Sequence, residues 1–388
     1  MRGAVRADHT LRVHNLRVAD PLVLHVLPVD LHRGAQTYAA ELRRRLDGHG
    51  ARHRTLTLFR SGGGSLVPDQ ALPVPPGRLR RAGLDPRALR HLRTALRADA
   101  PDVVVAHGGE PLKYAVLAGV ARERLVYYKI GAGNPRLSGS RRGLHRWFVG
   151  RAGTVVAVSE DAATEARALG VSPETLRVIP NGRDPAAYPP RPLRPDVNDG
   201  VDGVDGVVRL VFVGHLERGK RPERFVDVVR ALRSEGLSVE ASIAGDGPLL
   251  TAVRSLGRDA GVEVLGNVDD VPALLARSDV LVFTSSPAEG MPGVLIEAGM
   301  AALPVVTTDV PGARDIVEHE RTGFVVAVDD LEALIGCTRA LVDDPELRAR
   351  LGDAARIRCG ANFSLEASAR RWQTLVAEMT AGLCTSST

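Results

Sequence analysis

At 388 residues, with 44% hydrophobic and 25% charged side chains, the chain has the balance of a globular protein and length enough for two cores. Aromatic residues make up only 4%, which leaves nucleic-acid readout by base stacking little to work with, while a formal charge of +5 implies an Arg-rich surface able to attract anionic nucleotides or an acidic membrane. Three cysteines, Cys337, Cys359 and Cys384, form no C-x-x-C pair, so no zinc site or disulfide framework is expected, and a reducing cytoplasm suits that usage.

The first twenty residues are basic and too interrupted by charge for a signal peptide, and no apolar run approaches the roughly 20 residues of a membrane-spanning helix. PLVLHVLPV (21–29) reads as a buried parallel strand, and TYAAELRRRLDGHG (37–50) as a helix ending at glycine. ARHRTLTLF (51–59) is a second strand, followed by a Gly/Ser/Pro-rich loop through residue 77. A helix with Leu89, Leu92 and Leu96 leads to DVVVAH (102–107), then RLVYYKI (124–130) and TVVAVS (154–159), all strands. SEDAATEARALG (159–170) opens on a Ser N-cap and closes on glycine, and LRVIPNG (176–182) ends the first half.

Residues 189–206, Pro-rich and then Asp/Gly-rich without periodicity, carry a linker signature; the DGVDGVDG repeat lacks the closing Glu of an EF-hand. Six strand candidates follow, at 209–215, 239–245, 262–266, 280–285, 304–309 and 322–328, with helical segments between them. Residues 363–383 read as a terminal helix. Two successive β/α/β halves imply two doubly wound sheets with ligand at the carboxyl ends of their strands. The expected organisation is an N-terminal domain (1–188), a linker (189–206), a C-terminal domain (207–362) and a last helix (363–388) that can cross back to the first domain.

The segment EGMPGVLIE (289–297) leaves a strand end, turns through Gly290 and Gly293 and enters a helix. Small residues there let the backbone approach an anion, and free N–H groups with the helix dipole favour phosphate. Glu289 in the loop and Glu297 a turn into the helix can both point at one ligand, where carboxylates suit sugar or ribose hydroxyls. By spacing alone, two surface glutamates flanking a plain strand–turn–helix fit equally well.

The surroundings decide between these. EGMPGVLIEAGMAALPVVTTDVPGARDIVEHERTGFVV resembles the signature of retaining GT-B glycosyltransferases of family 4, with upstream counterparts in FVGHLERGK (212–220), AGDGPL (244–249), LGNVDDVPALLARSDVLVFTSS (265–286), VAVSEDAA, VIPNGRD and RGAQTYAAEL. The likeness covers nearly the whole chain and is most specific in the second half. It implies two Rossmann-like domains facing a central cleft, and a nucleotide diphosphate sugar as donor, UDP- or GDP-linked, with no cofactor and no required metal.

By this resemblance Lys220 would contact the donor diphosphate and Glu297 the ribose, and Glu289 would sit by the transferred sugar. Gly290, Met291, Pro292 and Gly293 would surround sugar and phosphate, although Pro292 offers no N–H. Gly245, Asp246 and Gly247 would face the nucleotide, and Val268 the base. His215 stands where relatives commonly have Arg, so a neutral imidazole replaces a charged fork. Arg33-Gly34-Ala35 keeps one of the two glycines usual there, and Gly34 can still open a helix toward the diphosphate.

Many relatives carry a histidine just after the strand equivalent to 124–130; here Lys129 lies in that region, able to pair with phosphate or orient the acceptor, or to face solvent. His107, at another strand end, is an acceptor-side candidate whose alternative is a core or capping histidine. The resemblance implies retention by front-face displacement, with the leaving diphosphate helping to take the acceptor proton.

The acceptor is open: a hydroxyl on a small molecule, natural product or saccharide, or a membrane lipid reached through peripheral contact. Arg141, Arg142, Arg146 and Arg151 with Trp147 and Phe148 can form a basic amphipathic face. The same segment also reads as an ordinary helix packing Leu144, Trp147 and Phe148 into the core, and that reading is preferred. A nucleotide-sugar-binding protein without turnover is the alternative from another class. No nucleic acid is expected as a partner.

Overall fold

The computed structural model describes residues 20–30, 34–61, 67–75, 77–81, 83–131, 139–190, 206–287 and 289–385. Arg33, the basic N-terminal stretch and most of the Pro- and Asp/Gly-rich stretch (191–205) lie outside them.

The first half builds a parallel sheet from β1 (Leu22–Val29), β2 (Arg52–Phe59), β3 (Gln70–Ala71), β4 (Val103–His107), β5 (Leu125–Lys129), β6 (Thr154–Ala157) and β7 (Leu176–Val178). Its helices are α1 (Gly34–Leu46), α2 (Arg78–Arg81), α3 (Pro86–Asp99), α4 (Gly109–Ala118), α5 (Gly139–Val149) and α6 (Glu160–Ala168). Strand order is β3-β2-β1-β4-β5-β6-β7, so the winding reverses between β1 and β4. β1 is buried along nearly its whole length because helices cover both faces, which is why its sequence is an almost unbroken apolar run. The two-residue edge strand β3 falls in the stretch read from sequence as loop; Asp69 fixes it by accepting from both Thr55 N (2.8 Å) and Thr55 Oγ1 (2.9 Å).

The second sheet comprises β8 (Val208–Val213), β9 (Val239–Ala244), β10 (Glu263–Gly266), β11 (Val280–Phe283), β12 (Val305–Thr308) and β13 (Gly323–Val326), in the order β10-β9-β8-β11-β12-β13. Its helices are α7 (Pro222–Ser234), α8 (Leu250–Ala260), α9 (Val271–Ala276), α10 (Gly293–Met300), α11 (Ala313–Ile316), α12 (Leu331–Asp343) and α13 (Pro345–Asn362). Here the reversal lies between β8 and β11, so the loops leaving those two strands open a crevice at the carboxyl edge. Each half is thus a doubly wound α/β unit.

The last helix, α14 (Leu365–Thr385), packs mainly on the first half, with a smaller contact to α13. Ser368 Oγ lies 2.6 Å from Tyr38 Oη and donates to the Pro180 carbonyl at 2.9 Å, and the Trp372 indole N–H donates to Tyr38 Oη at 3.1 Å. Beneath Trp372 three buried imidazoles form a chain: His25 Nδ1 to His107 Nε2 at 3.0 Å, and His25 Nε2 to His53 Nδ1 at 3.1 Å. Among the described residues His107 Nδ1 has no partner. A bare lone pair costs less there than an unmade N–H, so the protons run from His107 to His25 and from His25 to His53.

Candidate active site

At the second sheet's switch point two loops meet. The loop after β8 carries Gly214, His215 and Lys220; the loop after β11 carries Glu289 and runs into α10. Ser286 N donates to the Gly219 carbonyl at 2.7 Å and Thr284 Oγ1 to the Lys220 carbonyl at 2.9 Å, which ties the loops together. Arg221 adopts a left-handed conformation (φ 48°), a position that costs a non-glycine residue energy and that the surrounding bonds hold. The Lys220 ammonium forms an ion pair with Glu289, both partly exposed, and lies 5.4 Å from the Phe283 ring centre. The two residues assigned to the diphosphate and the sugar are therefore neighbours.

Beside them the loops after β8 and β9 close on each other. Gly214 N donates to the Ala244 carbonyl and Leu216 N to the Asp246 carbonyl, at 3.0 and 2.9 Å. Gly245 takes φ 149°, and a Cβ there would stand 1.8 Å from the Gly214 carbonyl oxygen, so only glycine fits. Val213, His215, Gly245, Asp246, Val268 and Val271 are among the residues lining an open pocket of 230 Å³. His215 and Asp246 are exposed at its rim and Val268 half-buried, which gathers most of the expected nucleotide-side residues around one depression. Gly247 lies in the same loop, against the Leu216 backbone.

The loop at residues 289–293, part of the second half, is gripped by the first. Ser159 Oγ, the N-cap of α6, donates to the Gly290 carbonyl at 2.9 Å, and a Cβ on Gly290 would stand 1.9 Å from the Ile130 carbonyl oxygen at the end of β5. Met291 and Pro292 are buried. Gly293 opens α10, with Pro292 as N-cap, so the free amides at this end begin at Gly293.

Glu297 has a partner that sequence reasoning missed. Arg183, in the loop after β7, places Nε 2.8 Å from Glu297 Oε1, with both side chains largely buried. Arg183 N donates to the Phe363 carbonyl at 2.9 Å and accepts at its own carbonyl from Leu365 N at 2.7 Å, so the α13–α14 junction clips it in place. Glu41 of α1 shares this neighbourhood: burial pushes its carboxyl up, while the nearby Arg183 pulls it down. The VIPNGRD segment held the only signal, an arginine following a tight glycine.

Two other expectations meet a different placement. Lys129 is 3% exposed, its ammonium 2.5 Å from Glu165 and donating to the Gly131 carbonyl at 2.8 Å; burial has recruited a counter-charge instead of leaving the amine open to a ligand. His107 is 1% exposed and belongs to the histidine chain under α14, the core placement rather than an acceptor-facing one. Burial holds its imidazole down at about 3, and that of His53 at about 4. Gly34 opens α1. Among the described residues, no group of three or more His, Cys, Asp or Glu side chains is arranged to hold a metal ion, and no helix is long and apolar enough to cross a membrane.

Two family models match the chain, Glycosyltransferase Family 4 over residues 32–187 and Glycosyl transferases group 1 over residues 208–344. Among curated proteins it is 26% identical over 242 residues to N-acetyl-alpha-D-glucosaminyl L-malate synthase of Bacillus anthracis, covering 61% of this chain and 62% of that one. It is 28% identical over 198 residues to an Escherichia coli UDP-Gal:alpha-D-GlcNAc-diphosphoundecaprenol alpha-1,3-galactosyltransferase, covering 49% and 51%. The chain thus spans about half to three fifths of the length of these curated relatives. The crystal structure of Anabaena HepE in complex with UDP-glucose superposes with a TM-score of 0.74 at 19% identity, over 92% of this chain and 99% of that one, and shares the fold.

Proposed function

The chain belongs to the group 1 glycosyltransferases of family 4 type, and from that membership we propose that it transfers a sugar from a nucleotide diphosphate donor to a hydroxyl acceptor with retention of anomeric configuration. The observation that carries this reading is the meeting of Lys220 and Glu289 at the sheet's switch point, between the pocket at His215 and Asp246 and the first amides of α10.

In the proposed reaction the bond from the anomeric carbon to the diphosphate oxygen breaks and a bond to the acceptor oxygen forms on the same face. The acceptor proton passes to the departing phosphate oxygen, so no protein nucleophile is needed. Lys220 and the amides at Gly293 and beyond stabilise the charge that grows on the leaving group. Glu289 positions both the Lys220 ammonium and the sugar hydroxyls, and Glu297, oriented by Arg183, takes the ribose.

A uridine nucleotide is favoured, since HepE is described in complex with UDP-glucose and the E. coli relative is named for UDP-Gal. The names of the relatives include one small-molecule acceptor, L-malate, and one diphosphoundecaprenol-linked sugar, so both acceptor classes stay within the proposal. The test is thermal stabilisation by UDP-, GDP- and TDP-sugars, followed by acceptor-dependent nucleotide diphosphate release and anomeric analysis of the product by NMR. A stabilising donor at 100 times its Kd should add about 2.7 kcal/mol. Donor binding with no turnover on any acceptor class would make the chain a binding protein instead, and an inverted product would overturn retention.

A further inference from the structure

The amphipathic helix α5 does not pack its apolar residues as its sequence suggests. Phe148 and Val149 are buried, but Leu144 is 55% and Trp147 46% exposed. Among the described residues six large hydrophobic side chains are exposed, and only these two share a helix. They are one turn apart, on one face. Scattered apolar residues on a surface need no explanation, but an adjacent pair including a tryptophan does.

The charge that α5 itself carries beside the pair has one sign. α5 contains no acidic residue; Arg141 and Arg142 are exposed, and among the described residues no carboxylate pairs with them. Arg151, in the turn beyond the helix, lays its guanidinium 4.5 Å from the Trp147 ring centre. Indole beside leucine, rimmed by arginines, suits the boundary of a bilayer, where the ring sits at headgroup depth and the guanidinium groups meet anionic lipid phosphates.

The helix also stands at the right edge of the molecule. On its inner side His145 packs edge-on to Tyr127 of β5, and His145 Cε1 lies 3.5 Å from the Cβ position of Gly109, which opens α4 just after β4. α5 therefore flanks the carboxyl ends of β4 and β5, the edge where Ile130 meets Gly290.

We propose that the Leu144–Trp147 face of α5, with Arg141, Arg142 and Arg151, docks the protein on an anionic lipid bilayer and sets the cleft mouth against the headgroups. This goes beyond sugar transfer, since docking requires neither donor nor acceptor.

The test uses the full chain without substrates, mixed with phosphatidylglycerol/phosphatidylcholine vesicles and with phosphatidylcholine alone. The sequence has two tryptophans, and Trp372 is buried, so an emission change on vesicle addition reports Trp147. The expected result is a blue shift with anionic vesicles, reduced as salt rises from about 0.1 M toward 1 M. Each of Arg141→Gln and Arg142→Gln should weaken partitioning about fivefold, and Leu144→Gln should lower it further. These positions are exposed, so the variants should keep the parent melting temperature and donor hydrolysis rate, which separates failure of docking from failure of the sugar-transfer reading. No blue shift, partitioning that ignores lipid charge, or a dimer abolished by Leu144→Gln would overturn the proposal, the last by making a second copy the occupant.

Discussion

Arg183 Nε lies 2.8 Å from Glu297 Oε1, which joins a loop of the first sheet to the helix that opens the crevice of the second. The arginine side chain is 7% and the carboxylate 16% exposed, so the pair is largely shielded while one edge of Glu297 stays accessible. Removing the arginine strands the carboxylate, which is the costly way to break such a pair. Arg183→Met should lower stability by about 3 kcal/mol in urea denaturation and raise the donor KM more than it lowers kcat. Arg183→Lys keeps charge without the planar fork and should fall between the two. Unchanged stability in Arg183→Met would show the contact to be idle.

Lys220→Ala removes the cation nearest the proposed leaving group. Turnover should fall on the order of 10²-fold or more while the folded protein is retained. Glu289→Gln should act in the same direction, because it releases the Lys220 ammonium from its partner. Acceptor-dependent nucleotide release measures both, and a Lys220→Ala rate near the parent's would remove the lysine from the mechanism.

Gly290→Ala places a methyl group 1.9 Å from the Ile130 carbonyl oxygen, a backbone atom that cannot swing away. The loop at 289–293 must shift or the two halves part, so turnover should drop at least tenfold, on the order of the cost of a small misplacement. Gly143→Ala is the control: nothing lies within 4 Å of its Cβ position, and the substitution should stabilise α5 by about 0.5–1 kcal/mol. Equal activity in both variants would show that the grip on Gly290 has no catalytic consequence.

The buried histidines predict acid sensitivity. Burial holds His107 at about 3 and His53 at about 4, and lowers His25, where burial is the largest cause and its two histidine neighbours add to it. A folded-state value below the unfolded one means the unfolded chain binds protons first. Stability is therefore full above about pH 6.5 and falls as pH drops toward 4, by about 1.4 kcal/mol per pH unit for each histidine involved. Urea midpoints at pH 7.5, 6 and 5 measure the slope, and His107→Gln should flatten it. A midpoint independent of pH over that range would contradict the buried, neutral chain.

The strand–helix alternation was readable because parallel strands covered on both faces are apolar throughout and helices carry their own caps. Ser159 is such a case, accepting from Ala162 N at 3.1 Å at the position its sequence suggested. His215, Gly245, Asp246 and Val268, which only the family resemblance had linked, line one depression because each follows a strand's carboxyl end. What escaped was non-local. Arg183 meets Glu297 across 114 positions, and Lys129 meets Glu165 across 36, pairings that no periodicity encodes. α5 escaped for another reason: Trp147 and Phe148 are adjacent, so they point to different sides, and only the fold decides which is buried.

The placement of α14 carries a consequence for biosynthesis. Trp372 and Ser368 complete the layer over His25 and Tyr38, yet they lie nearly two hundred positions beyond the last strand of that sheet. At ribosomal rates of roughly 5–20 residues per second, the first half waits roughly 10–40 s with its aromatic and imidazole face uncovered. During that interval the surface around His25 and Tyr38 that α14 covers in the folded chain has no cover from it.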